Sequence, residues 1–283
     1  MTSAEAMTPE ALTPEALAQA RAAWRAGVED VISYRYLGTF STAVSPHEAI
    51  GEMKIRPDMR GPAGLLAAPL GVALNDTAGI NIDPIMLCAP TRIDMHLFEP
   101  GQDILKVCLE GRVLREGRSQ FFTESRFTDA ADRSRLIAIG GTHWSVGTPN
   151  PGFNYVDCRP LAPTGPDFPP LYDPFGGRLR DDGNLEIPDE AEHLGSGGLH
   201  QGPFQVVPEA AAMMAAQDAA GTDQFWIEHQ GTSIIARGSG RPLVTHAEVL
   251  RIAEGCVNVR VEMRAEGAGD RLVAVTMCRF RLV

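Results

Sequence analysis

The sequence predicts an α+β protein that contains two copies of one unit, each an antiparallel sheet wrapped around a central helix. Two observations support this fold class. Short motifs recur in the same order along the chain, and in each copy a short strand and a Gly- and Ala-rich helix precede several alternating strands. A chain of 283 residues, 44% hydrophobic and 22% charged, is long enough for two domains of ordinary size.

The repeat rests on three pairs of matching segments. They are 113–115 with 249–251, 135–138 with 271–274, and 51–55 with 183–187. The first two pairs, which include Val-Leu-Arg in both copies, have an offset of 136 residues, and the third has an offset of 132. Several matches in order, with similar offsets, indicate duplication rather than chance.

Each copy follows the same order of elements. The composition predicts a helix over about 64–79 in the first copy and over 204–220 in the second. Alternation of apolar and polar residues over 260–264 and 272–279 predicts half-buried strands at the end of the second copy. We therefore expect a meander of strands packed on one helix in each unit.

The chain divides into four predicted segments. They are a helical extension (1–30), a first unit (31–147), a Pro-rich linker (148–175) and a second unit (176–283). In the extension, Thr13 suits a helix N-cap, Pro14 the first helical position and Gly27 the helix end. The linker holds eight prolines, which cannot feed a central sheet ladder.

Charge and composition exclude several classes of partner. The net charge is −11, with 25 basic against 36 acidic residues, so we expect neither nucleic acid nor an anionic membrane as a partner. No run approaches the roughly 20 apolar residues that span a bilayer, and the first residues do not have the pattern of a signal peptide. Five cysteines without a C-x-x-C pair are typical of reduced thiols, and we expect a cytoplasmic protein.

The motif that carries chemistry lies at the start of the second predicted helix. His200-Gln201-Gly202-Pro203 opens this helix, and Glu209 follows nine residues after His200. Free N–H groups at a helix N-terminus can stabilise a developing oxyanion, and Gly202 allows close approach to that backbone. Glu209, about two turns further on, could act as a base on water or as a nucleophile.

This motif resembles the hotdog thioesterases of the phenylacetyl-CoA and hydroxybenzoyl-CoA type, in which a His-Gly turn opens the central helix and an Asp or Glu follows nine residues later. The resemblance implies a tandem double hotdog over about residues 35–283 and an acyl-thioester hydrolase. It also implies that one site takes its helix opening and its acid from opposite units. Glu209 would then face Gly61–Gly64, and Asp76 would face His200 and Gly202.

The first copy departs from a symmetric pattern. It has Gly61-Pro62-Ala63-Gly64 where the second has His200-Gln201-Gly202-Pro203, so it lacks the His. Depending on the register, Ala68, Leu70 or Asp76 lies opposite Glu209. The candidate catalytic residues are therefore Glu209, His200, Gly202 and Asp76.

The candidate substrate-binding residues are Gly61, Gly64, Gln201, Arg237 and Arg241. The two arginines flank a Gly-Ser-Gly turn at 238–240 and could hold a CoA phosphate. No metal-ligand spacing, dinucleotide-binding motif, P-loop or nucleophile elbow occurs in the sequence. We expect no cofactor and no metal, with CoA present only as part of the substrate.

Three functions remain open from the sequence. The first is hydrolysis of an acyl-CoA or acyl-carrier thioester. The second is a hotdog hydratase or dehydratase, whose His and carboxylate spacings do not match Asp189, His193 and Glu209. The third is a non-catalytic acyl-CoA-binding or scaffold protein. The resemblance also implies a possible homodimer of double hotdogs.

Overall fold

The computed structural model describes residues 13–28, 32–82, 86–149, 167–188, 194–195, 198–236, 238, 242–267 and 269–283. The helices in these ranges are α1 (Pro14–Val28), α2 (Ile32–Leu37), α3 (Ala67–Ile82) and α4 (Pro203–Ala220). A short 3-10 helix covers Pro57–Met59. None of the helices in the described part of the chain has the length and apolar character needed to cross a membrane.

The strands fall into two series, one around each long helix. The first series is β1 (Phe40–Ala43), β2 (Glu48–Lys54), β3 (Arg60–Gly61), β4 (Gly64–Leu65), β5 (Met86–Leu97), β6 (Lys106–Glu116), β7 (Gln120–Asp129) and β8 (Leu136–Pro149). The second is β9 (Arg178–Leu179), β10 (Leu185–Ile187), β11 (Leu194–Gly195), β12 (Gly198–Leu199), β13 (Phe225–Ile234), β14 (Leu243–Ala253), β15 (Cys256–Ala265) and β16 (Arg271–Leu282).

One antiparallel sheet of 12 strands runs through the molecule. Its order is β1-β2-β6-β7-β8-β5-β13-β16-β15-β14-β10-β9. The two halves of this order mirror each other about the junction of β5 with β13. In sequence order, β2, β5, β6, β7 and β8 correspond to β10, β13, β14, β15 and β16. The two halves join where β5 pairs with β13, and His96 lies opposite His229 at this junction.

Matching bulges fix the correspondence between the long strands. Leu114 is the extra residue in β6, between Val113 and Arg115, and Leu250 is the extra residue in β14, between Val249 and Arg251. The two bulged residues are 136 apart, which is the offset read from the Val-Leu-Arg repeat. A bulge adds twist and an unpaired residue to its strand, so a shared bulge is a specific structural feature.

Strands β2 and β10 correspond to each other with an offset that differs from the predicted one. Met53 of β2 pairs with Val107, and Ile187 of β10 pairs with Leu243. Because Val107 and Leu243 are 136 apart, Met53 corresponds to Ile187, an offset of 134. The predicted offset of 132 would have matched Ile55 to Ile187 instead.

The two long helices pack on the sheet and against each other. Helix α3 contacts β1, β2, β5 and β6, and α4 contacts β14, β15 and β16. A side chain on Gly71 of α3 would overlap the side-chain oxygen of Gln205 on α4, so the helices make a close approach there. Both helices are apolar over most of their surface, as buried helices are. Helix α3 begins and ends three residues after the predicted limits.

The flanking segments lie against the first half. Leu17 of α1 packs against Cys88 and Val146, and Arg21 donates to the side chain of Asn81 over 2.7 Å. Residues 1–12 of the predicted extension and 150–166 of the predicted linker lie outside the described residues. Strand β8 continues to Pro149, two residues beyond the predicted end of the first unit.

Candidate active site

A carboxyl group of α4 lies at the N-terminus of α3, in the opposite half of the molecule. Glu209 is only 1% exposed. Its Oε1 accepts the N–H of Ala67 over 2.7 Å, and its Oε2 accepts the N–H of Ala68 over 2.9 Å. These N–H groups lie in the first turn of α3 and have no partner within the helix. The acid and the helix opening thus come from opposite halves, but the expected opening at Gly61–Gly64 is wrong: Glu209 contacts Ala67 and Ala68, because α3 begins only at Ala67.

Burial and hydrogen bonding act in opposite directions on Glu209. Removal from water raises the pKa of its carboxyl from 4.5 to about 7, although the hydrogen bonds from Ala67 and Ala68 favour the ionised form and lower it. The positive end of the α3 dipole also faces this carboxyl. A carboxyl with a pKa near neutrality can both take and return a proton, which is the property a general base needs.

Glu209 is on the wall of a cavity. The cavity has a volume of about 510 Å³ and is lined mainly by apolar side chains. One wall is the face of α4 that carries Val206, Glu209 and Met213, and another is the segment 167–172, which precedes the second half. The buried carboxyl can therefore be reached by a small molecule of mainly apolar surface.

The opening of α4 has a different set of contacts. Asn75 of α3 donates from its side-chain amide to Oε1 of Gln201, and Gln201 donates to the Tyr34 hydroxyl over 3.0 Å. Thr142 of β8 donates to Oδ1 of Asn75 over 2.7 Å. Asn75, Gln201, Tyr34 and Thr142 are all buried, so this opening is filled by a network of neutral amides and hydroxyls.

The residues at the two openings correspond with the same offset of 134 that relates β2 to β10. Asn75 and Glu209 are 134 residues apart, as are Ala67 and Gln201, so the contact between Asn75 and Gln201 is the counterpart of the contact between Glu209 and Ala67. On the strands, Thr142 corresponds to Cys278 with the offset of 136. Burial, together with the charge of Glu209, raises the pKa of the Cys278 thiol well above its usual value. One opening thus carries a carboxyl and a neutral thiol where the other carries an amide and a hydroxyl.

His200 and Gly202 lie at the amide-filled opening. Nδ1 of His200 is 2.6 Å from Oγ of Ser33, and the His200 ring makes an edge contact with Tyr34. Removal from water lowers the pKa of His200 to about 4, so its imidazole is neutral near pH 7. A side chain on Gly202 would overlap Ser33 and Phe175. Helix α2, which carries Ser33 and Tyr34, therefore packs directly on this opening.

The remaining predicted residues have different positions. A Cβ on Gly61 would be 3.4 Å from Sδ of Met213, at the cavity, whereas a Cβ on Gly64 would be 2.8 Å from both Cβ of Trp226 and the carbonyl oxygen of Pro100. Gly64 therefore allows close packing of β4. Asp76 lies on α3 directly after Asn75. Arg237 and Arg241 lie outside the described residues.

The sequence analysis did not identify Asn75, Ser33 or Tyr34. Asn75 was missed because the sequence matches gave offsets of 132 and 136, whereas the strand pairing gives the offset of 134 that places Asn75 opposite Glu209. The contribution of α2 had no signal in the sequence, since Ser33 and Tyr34 meet His200 and Gln201 across a separation of 167 residues.

Comparison with solved structures gives the fold class. The chain is similar to the tesB protein of Mycobacterium avium subsp. paratuberculosis, with 12% identity, 91% of this chain and 99% of that chain covered, and a TM-score of 0.58. It is similar to an acyl-CoA thioesterase II, TesB2, from Mycobacterium marinum, with 12% identity, coverage of 90% and 98%, and a TM-score of 0.56.

A third similar structure is a protein with a hot dog fold from Alicyclobacillus acidocaldarius, with 10% identity, coverage of 90% and 97%, and a TM-score of 0.53. Comparison with family models and with curated proteins gives no match. The predicted resemblance to hotdog thioesterases is therefore confirmed for the fold, over most of the chain. At these identities the likeness concerns the fold and not the activity.

Proposed function

We propose that this protein hydrolyses acyl thioesters, with acyl-CoA or an acyl carrier thioester as substrate, at the cavity that contains Glu209. The observation that carries the proposal is the buried carboxyl of Glu209 against two N–H groups of the α3 N-terminus. A base and oriented donors for an oxyanion thereby share one cavity. The names of the similar structures, which include acyl-CoA thioesterases, agree with this chemistry.

The proposed reaction uses the residues as follows. The thioester oxygen accepts a hydrogen bond from the N–H of Ala67 or Ala68, and Glu209 keeps its hydrogen bond to the other N–H. Glu209 removes a proton from water, and the resulting hydroxide adds to the carbonyl carbon. The C–S bond then breaks, and the protonated carboxyl, with a pKa of about 7, returns its proton to the thiolate, a stronger base with an ordinary thiol pKa of about 8.5. No cofactor takes part, and CoA enters only as part of the substrate.

Direct attack by Glu209 on the carbonyl is the second route to the same products. It forms a mixed anhydride and releases the thiolate before water enters. A single turnover in ¹⁸O-labelled water separates the two routes. The base mechanism places label only in the product acid, whereas attack by Glu209 and hydrolysis of the anhydride at its glutamyl carbon leaves label in the protein.

We also propose that the two halves are two copies of one hotdog unit, so that the chain is a tandem double hotdog. The matched bulges at Leu114 and Leu250 and the mirrored strand order support this. In such a pair each central helix supplies an opening to the acid of the other. We propose that only the opening of α3 is catalytic, because Asn75 in the other opening has no basic oxygen that could take a proton at neutral pH.

The possible pairing of two double hotdogs into a homodimer is a separate proposal. It rests on the resemblance to hotdog proteins alone. Light scattering over a range of protein concentrations tests it, and a strict monomer at the highest concentration contradicts it. Folding does not require this pairing, since the chain already contains both halves of the sheet.

One observation favours a second function, the binding of acyl thioesters without cleavage. Glu209 itself occupies both N–H groups that would stabilise the oxyanion. If substrate cannot displace either hydrogen bond, the protein binds the thioester and does not hydrolyse it.

A panel of saturated acyl-CoA and acyl carrier thioesters together with one enoyl-CoA, with release of free thiol and hydration of the double bond as readouts, decides between these functions. We expect thiol release. Binding without release supports the non-catalytic function, and hydration of an enoyl-CoA with no thiol release would assign the protein to the hydratases.

A further inference from the structure

The cavity follows one face of α4. Val206, Glu209 and Met213 line it with the spacing i, i+3 and i+7, which places three side chains on the same face of a helix. Met213 is four residues beyond Glu209, so its Cα lies about 6 Å further along the helix axis. The carboxyl is therefore between two apolar side chains of this face, and Met213 and Met214 are the last residues of α4 in the cavity wall.

The side chain of Met213 extends from α4 towards β3. A Cβ built on Gly61 would be 3.4 Å from Sδ of Met213, which is ordinary van der Waals contact. The thioether thus reaches β3, and a methyl group at position 61 would be in direct contact with it. A methionine side chain is long and flexible, so its length controls the free space, and its rotamers can adapt to what enters.

We propose that Met213, opposed by Gly61, limits the length of the acyl group that the cavity accepts. This inference rests on the proposed function and adds the substrate class to it. An acyl chain whose carbonyl oxygen accepts the N–H of Ala67 or Ala68, beside Glu209, meets the thioether about one helical turn further on. The preferred substrates are then short acyl thioesters.

Two variants change the cavity in opposite directions. Met213→Ala removes the thioether and its terminal methyl and opens the end of the cavity. We expect kcat/KM for decanoyl-CoA to rise relative to butanoyl-CoA by at least about tenfold, the usual effect of one methylene group in an apolar pocket. Gly61→Ala adds a methyl group in contact with Sδ of Met213, which restricts the rotamers of the thioether, and should lower the same ratio.

The control is Met277→Ala, which removes the same side chain from a 37% exposed position on β16. It should leave the chain-length profile unchanged. Unchanged profiles in both cavity variants would overturn the inference. So would a change in the ratio of CoA to N-acetylcysteamine thioesters at constant acyl length, because Met213 would then face the thiol part of the substrate.

A binding measurement keeps this test separate from the proposed function. Calorimetry with butanoic and decanoic acids reports the length of the cavity without any turnover. We expect Met213→Ala to bind decanoic acid at least about tenfold more tightly than the native protein does, relative to butanoic acid. Length-dependent binding without thiol release would contradict the hydrolase and retain the role of Met213, whereas binding that ignores Met213 would overturn that role.

Discussion

The raised pKa of Glu209 predicts a specific dependence of stability on pH. The folded protein holds this carboxyl with a pKa of about 7, while in the unfolded chain its pKa is close to 4.5. Because the folded pKa is the higher one, the contribution of protonated Glu209 is complete below pH 4.5 and is lost as the pH rises through about 7. At about 1.4 kcal/mol per pH unit over this interval, the loss is about 3 kcal/mol.

Glu209→Gln removes this titration. The amide also loses one hydrogen bond to the α3 N-terminus, but that cost does not depend on pH. The free energy of unfolding, measured in urea from about pH 5 to 8, should therefore fall for the native protein relative to the variant by about 2–3 kcal/mol. Both proteins must be measured at every pH, because the informative quantity is how the difference between their free energies of unfolding changes with pH.

The matched control is Glu262→Gln on β15. Hydrogen bonds and ion pairs with Arg264 and Arg260 lower the pKa of Glu262, so it stays ionised through the same interval and the variant should show no such trend. A constant difference between the native protein and Glu209→Gln from pH 5 to 8 would refute the reasoning. It would mean that the carboxyl of Glu209 is ionised from pH 5 to 8 in the folded protein and that its pKa is not raised to about 7.

Two further predictions concern packing and the second opening. Asn75→Ala leaves the side-chain oxygen of Gln201 without its amide donor, so the free energy of unfolding should fall by about 1–3 kcal/mol. The value of kcat should stay unchanged. A loss of kcat of more than about tenfold would place the chemistry at the opening of α4 instead. Gly64→Ala forces a methyl group against Trp226 and Pro100 and should lower the free energy of unfolding by about 1–3 kcal/mol. A thermal unfolding midpoint equal to that of the native protein would contradict this prediction.

The correspondence of β6 with β14 could be predicted from the sequence, because local identity is high there. The Val-Leu-Arg segments contain the bulged residues Leu114 and Leu250, whose special geometry is the same in both halves, and the offset of 136 was correct there. The first strand is short, and neighbouring identities at 51–55 gave an offset two residues too small. A short apolar strand accepts many alignments, and only its pairing partner decides among them.

The geometry of the candidate site could be predicted only in part. Glu209 followed from its position after the helix opening, but its counterpart did not, because the offset in the helices is 134 and the sequence favoured other values. The contact of α2 with His200 could not be predicted, since it depends on the path of the chain between Leu37 and the second half. Glu209 and Asn75 occupy corresponding positions but differ in side-chain chemistry. A repeat offset predicts which positions correspond, and it does not predict which of them carries the acid.

The most direct test of the account is the rate of thioester hydrolysis by the native protein and by Glu209→Gln on the same acyl-CoA. The variant keeps the shape of the side chain and loses the oxygen that takes the proton. We expect kcat to fall by about 10²–10⁴-fold, with Glu262→Gln unchanged. Full hydrolysis by Glu209→Gln would contradict the assignment. If Asp76→Asn abolished hydrolysis at the same time, the reaction would belong to the opening of α4.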